Sequence, residues 1–201
     1  MDIERTIKNL RQKGYKVSCF ENAEDAAAYL NRIIDQKSVG FGDSTTLLSM
    51  KLFERLSSHN EVLDPQNCAA ETDFMDTAKQ CLTTEVYLTS MNALSENGEI
   101  VNMDGTGNRI AGSLFGHEKV FFVCGTNKLV PTLEEAVWRV RNIAAPQNAM
   151  RLGLKTPCAK RGDRCYDCSS PERICNGMMI HFNKMHGIEM EVVLINEQLG
   201  F

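Results

Sequence analysis

No apolar run in the 201 residues approaches the roughly 18 that a membrane span requires. The opening Met1-Asp2-Ile3-Glu4-Arg5 lacks the apolar core of a signal peptide. The chain is therefore expected to be cytoplasmic, with no membrane span. Positive charge is not in excess: 22 Lys and Arg stand against 26 Asp and Glu, a net charge of -4. That balance argues against a general nucleic-acid binder, which needs a net attraction for phosphate. There is no G-x-G-x-x-G and no Gly-Lys-Ser/Thr, so neither a dinucleotide fingerprint nor an NTPase phosphate loop is present. Internal repeats, low-complexity tracts and long linkers are also missing, and one domain over 1–201 is the expectation. With 43% hydrophobic and 24% charged residues, the composition excludes disorder, collagen and coiled coil. A chain of this length buries roughly 70% of its unfolded surface and folds without staples.

What is present alternates between strand and helix. Ile3, Ile7 and Leu10 fall at helical spacing over 2–13, with Gly14 as a stop, and 15–20 alternates as a strand. Asn22 can cap a helix over 23–35. The apolar stretch 38–42 leads through Asp43-Ser44 into one amphipathic helix carrying Leu48, Leu52, Phe53 and Leu56. Further strands are expected at 61–63, 85–89, 99–103 and 119–124. Helices are expected at 72–81 and after Pro131, where Leu133, Ala136, Val137, Val140 and Ala144 share a face. This alternation indicates an α/β fold with a mostly parallel sheet flanked by helices. Two more strand-like runs, 178–182 and 190–195, close the chain as a pair after a cysteine-rich loop.

That loop, 155–176, carries the strongest chemical signal. Cys158, Cys165, Cys168 and Cys175 fall within 18 residues, among the turn formers Pro157, Gly162, Asp163, Asp167, Ser169, Ser170 and Pro171. Four soft thiolates in a polar loop are the ligand set of zinc or of an iron–sulfur cluster. Lys155, Lys160, Arg161, Arg164 and Arg173 offset part of their charge. Only Cys165 and Cys168 form a Cys-x2-Cys pair, unlike the two pairs of a zinc ribbon or the tight ferredoxin run. The symmetric 6-2-6 spacing favours one [4Fe–4S] cluster wrapped by one loop, with zinc as the alternative. Cys19, Cys68, Cys81 and Cys124 are scattered and read as small buried hydrophobes. His59, His117 and His181 read as surface or packing residues.

Three polar segments follow apolar strands, at the ends where ligands collect in open α/β sheets. In the first, Gly42 lets the backbone approach a ligand, and Asp43, Ser44, Thr45 and Thr46 offer N–H and hydroxyl groups to an anion. Simple capping of the following helix is the competing explanation. The second runs from Thr89 to Arg109: Arg109 can pair a carboxylate or phosphate, Asn92 and Asn108 add amides, and Glu99 and Asp104 are the available acid–base groups. The third places Lys128 after Gly125-Thr126-Asn127. Together they predict a pocket for a small organic anion.

The run 92–111, NALSENGEIVNMDGTGNRIA, resembles the signature of the LUD domain, the lactate-utilisation family. The segments CGTNKLVP at 124–131 and NEQLGF at 196–201 are similar to its later parts. The cysteine loop is similar to that of its short, stand-alone members. The resemblance implies a NagB/RpiA/CoA-transferase-like fold and a tie to lactate use, where related proteins accompany iron–sulfur oxidoreductase subunits. On that basis the chain is expected to be an accessory or electron-transfer component in 2-hydroxy-acid oxidation. A self-sufficient isomerase or transferase with Glu99 as base and a structural metal is the second expectation, and a ligand sensor or scaffold the third. Association with those subunits, or with further copies of the chain, fits the first.

Overall fold

The computed structural model describes residues 1–68 and 72–201. Helix α1 (Ile3–Gln12) starts where the Asp2 carboxylate accepts from the Arg5 amide at 2.9 Å, and Gly14, at φ +89°, turns the chain into β1 (Lys16–Phe20). Asn22 caps α2 (Ala23–Ile33), and β2 (Ser38–Phe41) follows. The single amphipathic helix expected next is two: α3 (Thr45–Ser49) and α4 (Leu52–Leu56). Lys51 sits between them in the left-handed region at φ +52°. The break brings Leu47, Leu52 and Leu56 into the core and leaves Leu48 about half exposed.

Strand β3 (Glu61–Leu63), helix α5 (Phe74–Cys81) and strand β4 (Val86–Thr89) match the sequence pattern. Beyond them come β5 (Ala93–Ser95), β6 (Ile100–Asp104), the short α6 (Asn108–Gly112), β7 (Lys119–Gly125) and β8 (Leu129–Val130). A long helical rod is built from α7 (Leu133–Arg139), a π-helical turn (Val140–Ala144) and α8 (Ala145–Arg151). Helix α9 (Pro157–Arg161), β9 (Gly177–His181) and β10 (Glu189–Ile195) complete the order.

Six strands form one sheet in the order β1-β10-β7-β4-β2-β3, every pair parallel. Its middle strands are apolar on both faces: Val120 to Cys124 and Val192 to Ile195 are all buried. Both faces are covered, as a parallel sheet requires. On one face α2, α3 and α4 contribute Leu30, Leu47, Leu52 and Leu56 to a cluster with Val39, Leu88 and Phe121. Each fully buried side chain of this kind contributes about 1.5–3 kcal/mol. On the other face Leu10 of α1 meets Tyr87, Met91, Leu94 and Phe122.

A second sheet, β8-β5-β6-β9, lies beside the first. The C-terminal strand pair divides between the two sheets: β9 runs antiparallel to β6, while β10 is inserted between β1 and β7. Burial explains the division. Strand β10 is buried on both faces from Met190 onward, whereas β9 is an edge strand buried only at His181. Among the scattered cysteines, Cys81 and Cys124 are buried as expected, but Cys19 is exposed, because β1 is the edge strand of the large sheet.

Candidate functional site

The carboxyl ends of the adjacent strands β2, β4 and β7 open together into a pocket of about 140 Å³. The loop after β2 supplies Asp43, Ser44 and Thr45; the loop after β4 supplies Ser90, Met91 and Asn92. The turn after β6 adds Asp104, Asn108 and Arg109, and the turn after β7 adds Lys128. Ala144, Ala145, Asn148 and Arg151 of the helical rod form the facing wall. Gly42 is needed because a Cβ there would stand 2.8 Å from both the Thr89 and Tyr87 oxygens. It is this close approach that lets β2 run alongside β4 to its last residue.

Lys128 is only 3% exposed. Its Nζ donates to Thr46 Oγ1 and to Ser90 Oγ, both at 3.0 Å, and no carboxylate pairs with it among the described residues. Burial pulls its pKa down to about 8, helped by the nearby cations Arg139 and Arg109. Arg139, 6% exposed, is likewise without an acid partner among the described residues. Its guanidinium donates to Asn92 O at 2.6 Å and Asn127 O at 3.1 Å, tying the β4 and β7 loops together. Thr46 is fully buried behind the pocket and serves it through Lys128.

Asp104 is committed to structure. Its carboxylate accepts from the amides of Gly105 (2.9 Å), Arg109 (3.0 Å) and Ile110 (3.2 Å), and lies 3.8 Å from Arg109 Nε. Arg109 also donates from Nη2 to Met103 O. The acid thus fixes the turn and aims the base. Asn108 Nδ2 is buried with no hydrogen-bond partner among the described residues. Asn92 Oδ1 accepts from the Met103 amide at 2.8 Å. Asp43 is held at φ +45°, accepts from Gln66 Nε2, and has its carboxyl pushed up by burial against the pull of Arg109 and Arg151. Ser44 caps α3 through the Leu47 amide at 3.4 Å. Glu99 stands outside the pocket, paired with Lys13 at 3.2 Å and accepting from Ser95.

Cys158, Cys165, Cys168 and Cys175 line one second cavity of about 30 Å³, with Arg141, Pro146 and Ala149 of the rod. Thr156 caps α9, which carries Cys158 at its second position. The turn between the central pair is made by Asp167 at φ +45°, whose amide donates to Cys165 Sγ at 3.3 Å. Arg173 ties Cys168 to Cys175, donating to Cys168 O at 2.6 Å and Cys175 O at 3.1 Å. The Cys165 amide donates to Asn142 Oδ1 at 3.3 Å, docking the loop on the π-helical turn. Burial raises the Cys175 thiol, Arg173 opposes that, and Cys165 and Cys168 lie near enough to raise it further. No group of three His, Cys, Asp or Glu side chains stands at metal-binding spacing among the described residues. The thiols surround the cavity without closing on its centre.

Met103, Ala145 and Ile174 line both cavities, so the two share a wall. The Asn176 amide donates to Asp104 O at 3.0 Å and its side chain to Gly105 O at 3.1 Å, joining the end of the cysteine loop to the turn that holds Arg109. Sequence reasoning placed Ser90 only within the polar segment from Thr89 to Arg109, and missed Arg139, Asn148, Arg151 and Ile174. Only Arg139 left a trace: it follows Ala136 by three residues, placing an arginine on the apolar side of its helix. His181 and His117 are buried packing groups, the first accepting or donating at Ser113 Oγ (3.1 Å) and the second bonded to Thr84 O (2.6 Å).

Comparison with curated proteins returned no match. Among solved structures, a DUF162 family protein from Deinococcus radiodurans is similar in fold, with a TM-score of 0.57 and 13% identity, over 96% of this chain and 95% of that one. The model of the LUD domain matches residues 3–195. With nearly the whole length matched, the chain belongs to the LUD domain family, which is related to lactate utilisation.

Proposed function

We propose that this chain binds a small 2-hydroxy or 2-oxo acid beside a thiolate-held metal centre, as an accessory or electron-transfer component of 2-hydroxy-acid oxidation. The observation that carries the proposal is Lys128: a buried cation without an acid partner among the described residues, opening on a pocket with Arg109 and the unpaired Asn108 amide. Such groups are costly to bury unless an anion completes them. The size supports a small acid. A cavity of about 150 Å³ takes benzene, which has as many heavy atoms as lactate. At about 140 Å³ the pocket favours a free three-carbon acid over a CoA-linked substrate.

Three observations support a metal or cluster on the four thiols: they surround one cavity, an amide already donates to Cys165 Sγ, and Arg173 and Arg141 bring positive charge to the loop through Asp167. A [4Fe–4S] cluster is the favoured occupant and would supply one-electron transfer; zinc is the alternative and would brace the loop. What the chain itself does is hold the acid on Arg109, Asn108 and Lys128 and keep it against the wall formed by Met103, Ala145 and Ile174.

Calorimetric titration with lactate and pyruvate tests the pocket. Arg109→Ala is expected to weaken binding at least tenfold while the fold persists. Unchanged affinity in that variant would remove the proposed site.

A further inference from the structure

A lysine that serves only as a counter-charge is usually met by acids or by water. Lys128 is met by no acid among the described residues, and it is only 3% exposed. Its ammonium is enclosed by Thr46, Ser90 and the tail residue Gly200, where an added Cβ would lie 3.2 Å from Nζ. The carboxylate of a bound acid already has two partners of its own, Arg109 and the Asn108 amide, on the turn after β6. That leaves the carbon next to the carboxylate for the amine of Lys128.

Taking the small-acid reading of the pocket as its basis, we infer that Lys128 captures 2-oxo acids covalently as an imine. The amine nitrogen attacks the ketone carbon, a carbon–nitrogen bond forms, and the carbonyl electron pair moves to oxygen. The oxygen takes up protons from the nitrogen and departs as water. Ammonium plus ketone gives iminium plus water, so no oxidant or reductant enters. The hydroxyls of Thr46 and Ser90, both 3.0 Å from Nζ, are placed to relay the protons. The neighbouring cations Arg139 and Arg109, with burial, keep part of the lysine in the neutral form that attacks. A 2-hydroxy acid fits the same place but has no ketone carbonyl, so it binds without a covalent bond. The site then discriminates the oxidised from the reduced acid by covalent chemistry.

The test is reductive trapping. The intact protein is incubated with pyruvate and cyanoborohydride at pH 7 to 9, digested and mapped by mass spectrometry, while lactate and pyruvate binding are measured in parallel without reductant. The expected result is one adduct, on Lys128, heavier by the acid less one oxygen, forming faster toward pH 9, absent with lactate and absent in Lys128→Arg. Mapping on the wild-type chain makes the result independent of how that variant folds. Binding of both acids with no adduct, or with adducts spread over surface lysines, overturns the imine and leaves the pocket standing. Failure of both acids to bind overturns the pocket and the imine with it.

Discussion

Lys128 combines a structural cost with a proposed functional use, and the two can be measured separately. Its pKa falls from 10.5 to about 8 because burial disfavours the charge. Between those values the unfolded chain holds the proton and the folded chain does not, so stability rises with pH across that window. Below pH 8 the penalty is constant at about 3 kcal/mol. Lys128→Met removes the charge at similar volume, and Thr46 and Ser90 retain bonds to each other and to Leu199 O. The variant is expected to gain about 1–3 kcal/mol in urea unfolding at pH 7 and to lose acid binding. Loss of stability would show that Lys128 is a structural group. His181 gives the opposite limb. Fully buried, with its pKa pulled down to about 4, it stays neutral when folded while the unfolded side chain takes a proton below 6.5. Stability therefore falls as pH drops from 6.5 toward 4, by up to about 3 kcal/mol. His181→Leu should flatten that limb, since Ser113 keeps its bond to Ile110 O at 2.8 Å; an unchanged slope would assign it elsewhere.

Among the elements, those with a strong period were legible and those shaped by one backbone torsion were not. The apolar runs of β2, β4 and β7, each ending in polar residues, marked three walls of the pocket, because in a parallel sheet those ends face one way. The break between α3 and α4 left no mark, since Lys51 continues the amphipathic pattern and only its φ of +52° interrupts it. Lys51→Gly tests this reading: relief of the left-handed strain should outweigh the added chain entropy and stabilise by about 0.5–1 kcal/mol in thermal unfolding. Destabilisation would mean that the break is held by packing. Glu99 shows a different limit. It lies just before β6 and Asp104 ends it, so five residues of extended chain, roughly 16 Å, separate two acids that look adjacent in sequence. The facing wall depends on where the rod and Ile174 pack, which no local pattern specifies. The π-helical turn is part of that wall, an irregularity of the kind often found at functional sites.

At the scale of the molecule, charge is unevenly shared. The chain carries -4 overall, yet residues 139–176 hold eight Arg and Lys against three acids. This stretch contains the π-helical turn and α8 of the rod, the cysteine loop and most of the shared wall, and it is where thiolates and a bound acid would place negative charge. The two cavities touch through Met103, Ala145 and Ile174, so a ligand in one is expected to alter the packing and field felt in the other. No helix among the described residues is long and apolar enough to cross a membrane. The most direct measurement is an anaerobic visible-absorption titration with pyruvate of the protein loaded with iron, or with cobalt(II) in place of zinc. A thiolate-to-metal band that is absent from Cys168→Ser, and that shifts to saturation as the acid fills its pocket, is the predicted result. A protein that takes up no metal on these thiols, or a band indifferent to an acid that binds, would contradict the account.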